Sequence, residues 1–165
     1  MTTTMRRRRK AVSLGLVMAL TAWSCASHGP IFRRAPAPDG DRALLYVYRA
    51  DEVRSGGAIE LFLDGRRVGR LGNEEYLWFH LNPGIHQLRT VYVARWIGSG
   101  GWNRVRVEAD VGGRYFLKIW SDYIAVERAP DRAQDMVSVN AFASLQPEKS
   151  AVEELALTRL GTRAD

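Results

Sequence analysis

The chain of 165 residues contains one cysteine, three histidines and six prolines. A lone cysteine cannot close an intramolecular disulfide, so the fold must be held by its core. His28 falls in a Pro-rich stretch apart from His80 and His86, and no cysteine or second histidine pair completes the four-ligand Cys and His sites that hold structural zinc. No Gly-x-Ser-x-Gly, phosphate-binding glycine loop or His-Glu-x-x-His occurs, so no hydrolase, nucleotide or zinc-protease signature nominates a catalytic residue. Nor is there an apolar run of roughly 20 residues, the length that spans about 30 Å of hydrocarbon.

The apolar stretch that is present, Ala11 to Ala22, follows Arg6 to Lys10 and precedes the small Ser24 and then Cys25. Basic segment, short apolar segment and small residue, in that order, make a secretory leader. With Ser24 and Cys25 at the junction it resembles a bacterial lipoprotein signal, in which the cysteine sulfur takes a diacylglycerol and cleavage leaves that cysteine first. An ordinary cleaved signal and an uncleaved anchor are the alternatives. Arg8 and Arg9 are followed by Lys-Ala-Val and read as part of the basic segment rather than as a twin-arginine signal. Ala26 and Ser27 after the cysteine, with no Asp, resemble signals sorted to the outer membrane, which implies its periplasmic face.

Five of the 24 Lys and Arg lie in residues 1–24, which hold no acid, leaving 19 basic against 18 acidic residues beyond the leader. The arginines that remain are interspersed with Asp and Glu along the chain, so a nucleic-acid partner has no electrostatic basis. Residues 25–41 carry Pro30, Pro36, Pro38 and Arg33-Arg34 without a sustained period. They read as a Pro-rich tether behind a lipidated Cys25, able to hold a domain a few tens of ångströms from the membrane at about 3 Å per residue.

Residues 42–145 read as one β domain. Ala43 to Arg49, Ile59 to Leu63 and Arg67 to Leu71 are predicted strands, the last two joined by the turn signal Asp64-Gly65. Tyr76 to Leu81 and Ile85 to Ala94 are expected to pair about Asn82-Pro83-Gly84. Val105, Val107, Ala109 and Val111 alternate with Arg104, Arg106, Glu108 and Asp110, which predicts one buried and one wet face. Gly112-Gly113 then leads into Tyr115 to Trp120, where Phe116, Lys118 and Trp120 have outward parity, and Met136 to Phe142 is the last strand. The expected fold is mainly β, a single antiparallel β-sandwich of about seven strands.

Residues 146–165 read as a C-terminal helix or tail. Ser150 and Glu153 form a capping box, Val152, Leu155, Ala156 and Leu160 share a stripe, and Gly161 is the expected stop. The stripe is thin, so a helix docked on the sandwich and a frayed tail are both open.

The succession ALLYVYR, IELFLDGRRVGRL, YLWFHLNPGIHQL and RYFLKI over residues 42–121 resembles the bacterial lipoprotein family known as domain of unknown function twenty-eight forty-six. The matching positions are Tyr46 to Arg49, Asp64, Gly65, Gly69, Pro83, Gly84 and His86. The resemblance implies a β-fold in the cell envelope and brings no catalytic residue.

Two functional expectations follow. In the first, a lipid-anchored, non-catalytic domain binds an envelope protein or glycan through Trp96 and Trp102, which flank the small residues Gly98 to Gly101 at a loop edge. The bland counterpart is that these indoles merely cap the sandwich. In the second, His80 and His86, placed together by the Pro83-Gly84 hairpin, serve a small enzyme or metal-dependent domain; hydrogen-bonded surface histidines are the counterpart. The first is preferred, with no enzyme activity, metal or other cofactor expected.

Overall fold

The computed structural model describes residues 29–38, 40–51, 57–94, 98–127 and 136–164. Cys25, and with it the leader, lies outside them. Among the described residues ten strands and one helix follow in chain order. They are β1 (Ala43–Arg49), β2 (Ala58–Leu63), β3 (Arg66–Leu71), β4 (Glu75–Leu81), β5 (Gly84–Ala94), β6 (Gly98–Ala109), β7 (Arg114–Glu127), β8 (Met136–Leu145), α1 (Glu148–Leu155), β9 (Arg159–Leu160) and β10 (Thr162–Arg163). Two five-stranded sheets form, β8-β7-β1-β4-β9 and β10-β3-β2-β5-β6, here called sheets A and B.

The protein is therefore mainly β with two facing sheets, a β-sandwich-like fold. The expected strand count was low, and the sheets are not wholly antiparallel. β1 runs parallel to β7 from Leu44↔Arg114 to Arg49↔Ile119, and β4 runs parallel to β9. The inner faces meet in one core that includes Leu45, Val47, Leu77, Leu117 and Ile119 from sheet A and Ile59, Leu61, Leu71, Leu88 and Val107 from sheet B. Val107 and Ala109 are buried while Arg104, Arg106 and Glu108 are exposed, as period-two alternation requires. Val111 falls beyond the end of β6 and is exposed.

The Asp64-Gly65 turn is a true hairpin between β2 and β3, with positive φ at both central residues, 49° and 83°. That conformation, the primed turn matched to strand twist, is why the pair is Asp-Gly. Gly69 is demanded by space instead: a Cβ there would lie 2.5 Å from the Leu77 side chain and 2.8 Å from the Thr162 carbonyl oxygen. The other two turns are not hairpins. Asn82-Pro83-Gly84 carries the chain from β4 in sheet A to β5 in sheet B, and Gly112-Gly113 carries it from β6 back to β7. Each is an arch over the edge of the core. Turn chemistry specifies that a chain reverses and leaves open which edge it then pairs with.

The outer face of sheet A is roofed. Leu44, Tyr46 and Tyr48 of β1, Tyr76 of β4 and Phe116 of β7 pack with Ala151 and Leu155 of α1 as a second buried cluster. Helix α1 thus docks on the sheet. It starts earlier than the capping box implied: Pro147 is the N-cap, without a side-chain cap bond, and the Ser150 hydroxyl donates to the Pro147 carbonyl. Gly161 does not end the helix; it is the corner between β9 and β10. Tyr48 Oη donates to Glu154 Oε2 at 2.6 Å and Lys118 Nζ donates to Glu154 Oε1 at 2.5 Å, tying the helix to both central strands. Burial, then the Glu154 hydrogen bond, pushes the Tyr48 hydroxyl far above its ordinary pKa. Burial also disfavours the Glu154 carboxylate, but the bonds from Lys118 and Tyr48 outweigh it and hold that pKa low.

Part of the expected tether belongs to this roof. Ile31 bridges Arg159, Phe32 N–H donates to the Thr158 carbonyl at 3.0 Å, and Leu160 N–H donates to the Pro30 carbonyl at 2.9 Å. The Phe32 ring meets Tyr46 and Tyr76 edge-on at 5.9 and 5.1 Å. The Ala35 N–H donates to Tyr46 Oη at 2.8 Å.

Candidate functional site

Three connections open from one end of the molecule, where β1 finishes. Asp51 and Gly57 bracket the first, Ala94 and Gly98 the second, Glu127 and Met136 the third. The second falls where the aromatic loop was expected, but Gly98 to Gly101 are not a loop: they open β6, with Gly98, Ser99 and Gly100 paired to Ala94, Val93 and Tyr92 of β5. Trp96 lies outside the described residues, and Trp102 belongs to β6 at the register position opposite Val91.

At the end where β1 finishes lies a charged pair. Arg49 has inward parity on β1, and its side chain is 0% exposed, with that of Asp51 at 1%. Its Nε donates to Asp51 Oδ2 at 2.6 Å and its Nη2 lies 2.5 Å from the same oxygen. Nη2 also donates to Ser121 Oγ at 3.2 Å, and Nη1 donates to the Gly57 and Leu71 carbonyls at 2.8 and 3.4 Å. Ser121 completes the carboxylate, its N–H donating to Oδ1 at 2.7 Å and its hydroxyl to Oδ2 at 3.0 Å. All five guanidinium N–H groups are committed, so the cluster is a closed floor that joins β1, β3, β7 and the start of β2. A buried ion pair is tolerated when its remaining hydrogen-bonding capacity is filled in this way. In the sequence Arg49 stands only as the end of the Tyr46 to Arg49 match and as the charged residue closing the otherwise apolar ALLYVYR, with no role attached.

The two strand histidines are not brought together as a hairpin pair, because β4 and β5 lie in different sheets. His80 is opposite Leu44, with its ring 5.2 Å from Trp78 and its Nε2 buried without a hydrogen-bond partner. His86 Nδ1 is 2.7 Å from Asp64 Oδ2 and its Nε2 is 2.8 Å from the Asn82 carbonyl oxygen. Both neighbours accept, so both ring nitrogens are suited to carry protons. Burial works against the imidazolium, but the Asp64 and Asn82 bonds outweigh it and raise the His86 pKa. The ring thus clamps the hairpin turn to the β4–β5 arch. Among the described residues no group of three or more His, Cys, Asp or Glu is placed to hold a metal ion.

The outward residues of β7 diverge. Phe116 is buried under the roof, stacked on Tyr46 at 5.2 Å, whereas Trp120 is half-buried and stacks on Phe142 of β8 at 5.6 Å. Arginines interspersed in sequence become neighbours on the outer face of sheet B, a clustering that the linear reading did not anticipate. Cross-strand register sets Arg67, Phe62, Arg89 and Arg104 in one row, with Arg70 and Arg106 nearby on β3 and β6. The Arg89 guanidinium lies 4.0 Å from the Phe62 ring centroid, and Arg67 pairs with Glu60 at 3.1 Å. A groove of about 410 Å³, lined by Arg66, Arg67, Phe79 and Arg163 among others, continues this surface around the β3 edge. The alternation of Arg104 and Arg106 was the one sequence sign of it.

No protein-family model, no curated protein and no solved structure matches the chain.

Proposed function

We propose that the chain is a bacterial lipoprotein, anchored through an acylated Cys25, whose non-catalytic β-sandwich binds an envelope component, protein or glycan, through the loop end that carries Trp96 and Trp102. The leader and the sole cysteine motivate the anchor, the residues that follow Cys25 suggest the outer membrane, and the resemblance to domain of unknown function twenty-eight forty-six agrees with both. The observation that carries the binding reading is the closed floor at that end. Arg49, Asp51 and Ser121 satisfy one another, which makes a rigid base at the end where β1 finishes. Rigid scaffolds that present loops in this way are the usual setting for recognition.

Mass spectrometry of membrane-purified protein is expected to find an acylated Cys25 N-terminus, and an unmodified N-terminus elsewhere overturns the anchor. The double variant Trp96→Ala/Trp102→Ala is expected to keep its thermal midpoint, because truncating a core Trp costs about 3–5 kcal/mol and an exposed one far less. The same variant is expected to lose the partner that the intact protein captures from detergent-solubilised envelopes. Unfolding of the variant would make both indoles structural caps.

A further inference from the structure

The Pro-rich segment that reads as a long tether is bonded to the domain from Gly29 onward. Only residues 26–28 separate Cys25 from Gly29, so four residue steps span at most about 14 Å. A lipid on Cys25 therefore holds the domain against the bilayer, and the surface at the exit of Gly29 must be compatible with it. That surface is a strip. Antiparallel bridging of Ile31 with Arg159 turns Phe32, Thr158 and Leu160 toward the protein and leaves Ile31, Arg33, Leu157 and Arg159 exposed. Ile31 is 59% and Leu157 79% exposed.

Two aliphatic side chains between two arginines suit the headgroup boundary of an anionic bilayer: the aliphatics enter the interface and the guanidinium groups meet phosphate. Two exposed carboxylates lie near the strip: Glu74, whose carbonyl accepts from the Arg159 N–H at 2.9 Å, and Glu153, four residues before Leu157. Exposed apolar residues also occur at the opposite end, Ile85 at 60% and Val111 at 63%. Their setting is of mixed charge: Ile85 is paired with Glu108 and Asp110 precedes Val111, while the Arg42 carbonyl accepts from the Gly112 N–H and Arg114 opens β7. That end lies away from Gly29 and so from the proposed anchor. The two ends of β4 are six residues apart, roughly 20 Å at about 3.3 Å per residue; Glu75 pairs with Arg159 at one, and Leu81 lies beside Ala43 at the other.

We propose that the strip Ile31, Arg33, Leu157 and Arg159 rests on the anionic bilayer to which Cys25 is anchored, with the β6–β7 arch facing away. This rests on the lipoprotein reading. Acylation blocks the Cys25 thiol, so Ile31→Cys, Leu157→Cys or Val111→Cys adds the one thiol open to an environment-sensitive fluorophore. The full chain, purified from membranes, is reconstituted into phosphatidylglycerol vesicles containing nitroxide-labelled lipid. Quenching is expected to be several-fold stronger at positions 31 and 157 than at 111, and to fall toward the level at 111 when Arg33→Glu and Arg159→Glu are added. Equal quenching at all three positions, with acylation confirmed by mass, overturns the strip and leaves the anchor standing. An unacylated Cys25 overturns both.

Discussion

The outer faces of the two sheets are built by the same alternation and reach opposite ends. On sheet A the outward residues of β1, β4 and β7 include Leu44, Tyr46, Tyr48, Tyr76 and Phe116, and α1 and the 29–35 segment cover them. On sheet B the outward residues include Arg67, Arg70, Arg89, Arg104 and Arg106, and no described element lies over them. A strand apolar on both faces, as β1 is up to Tyr48, requires cover on both; a strand that alternates apolar with arginine leaves one face to water or to a partner. Roof and bare face are thus consequences of side-chain choice on a common backbone pattern.

The sharpest way to break the comparison uses one phenylalanine from each face. Phe116 is 3% exposed and stacked on Tyr46, so Phe116→Ala is expected to cost about 3–5 kcal/mol in urea unfolding. Phe62 is half-buried beneath the Arg89 guanidinium, and Phe62→Ala is expected to cost only about 1 kcal/mol, from partial burial and a surface cation–π contact. Similar costs at the two positions would mean that sheet B has cover of its own.

A smaller effect tests what fastens the roof. Glu154 has its pKa lowered in the folded state, so its contribution is fully present above the unfolded value near 4.5 and is lost as pH falls through the lower folded value. Glu154→Gln is expected to cost about 1 kcal/mol or less at neutral pH, since the group is partly exposed and screened. Wild type and variant should converge below that folded value. Unchanged separation at acid pH would assign the cost to packing rather than charge.

The smallest effect belongs to the bare face. Arg89 and Arg104 are directly opposed across β5 and β6, and like charges so placed are mildly destabilising. Arg104→Gln is expected to shift stability by no more than about 0.5 kcal/mol, toward greater stability at low salt and toward zero at high salt. A clear destabilisation would show that Arg104 is part of the fold's support.

What was legible in the sequence was local. The eight longer strands announce themselves by composition and period, and Asp64-Gly65 by the positive φ that its two residues tolerate. The pairing of β1 with β7 was not legible, because Leu44 and Arg114 are 70 positions apart and nothing in either strand names its neighbour. For the same reason Pro83-Gly84 and Gly112-Gly113 were readable as reversals but not as arches. The 29–35 segment has no period because it is held by single contacts, Phe32 against two tyrosines and Ala35 to a hydroxyl. At the candidate site, the small residues Gly98 to Gly101 were read as a loop signal but open strand β6, because small residues do not bar strand pairing; the Arg49 floor draws on residues from 49 to 121 and exists only after folding.

The parallel seam between β1 and β7 also sets a sequence of events in time. The β2–β3 hairpin closes over two residues and needs nothing else, a microsecond process. Sheet A has no centre until β7 has been synthesised and brought back across some 70 residues to β1, a closure whose entropy must be met before its contacts form. Until then the outward aromatics of β1 have no helix above them, and Arg49 has no Ser121 to meet. During its emergence the chain is therefore a set of local hairpins with an exposed apolar strand near its front, and it becomes a compact domain only in its final quarter.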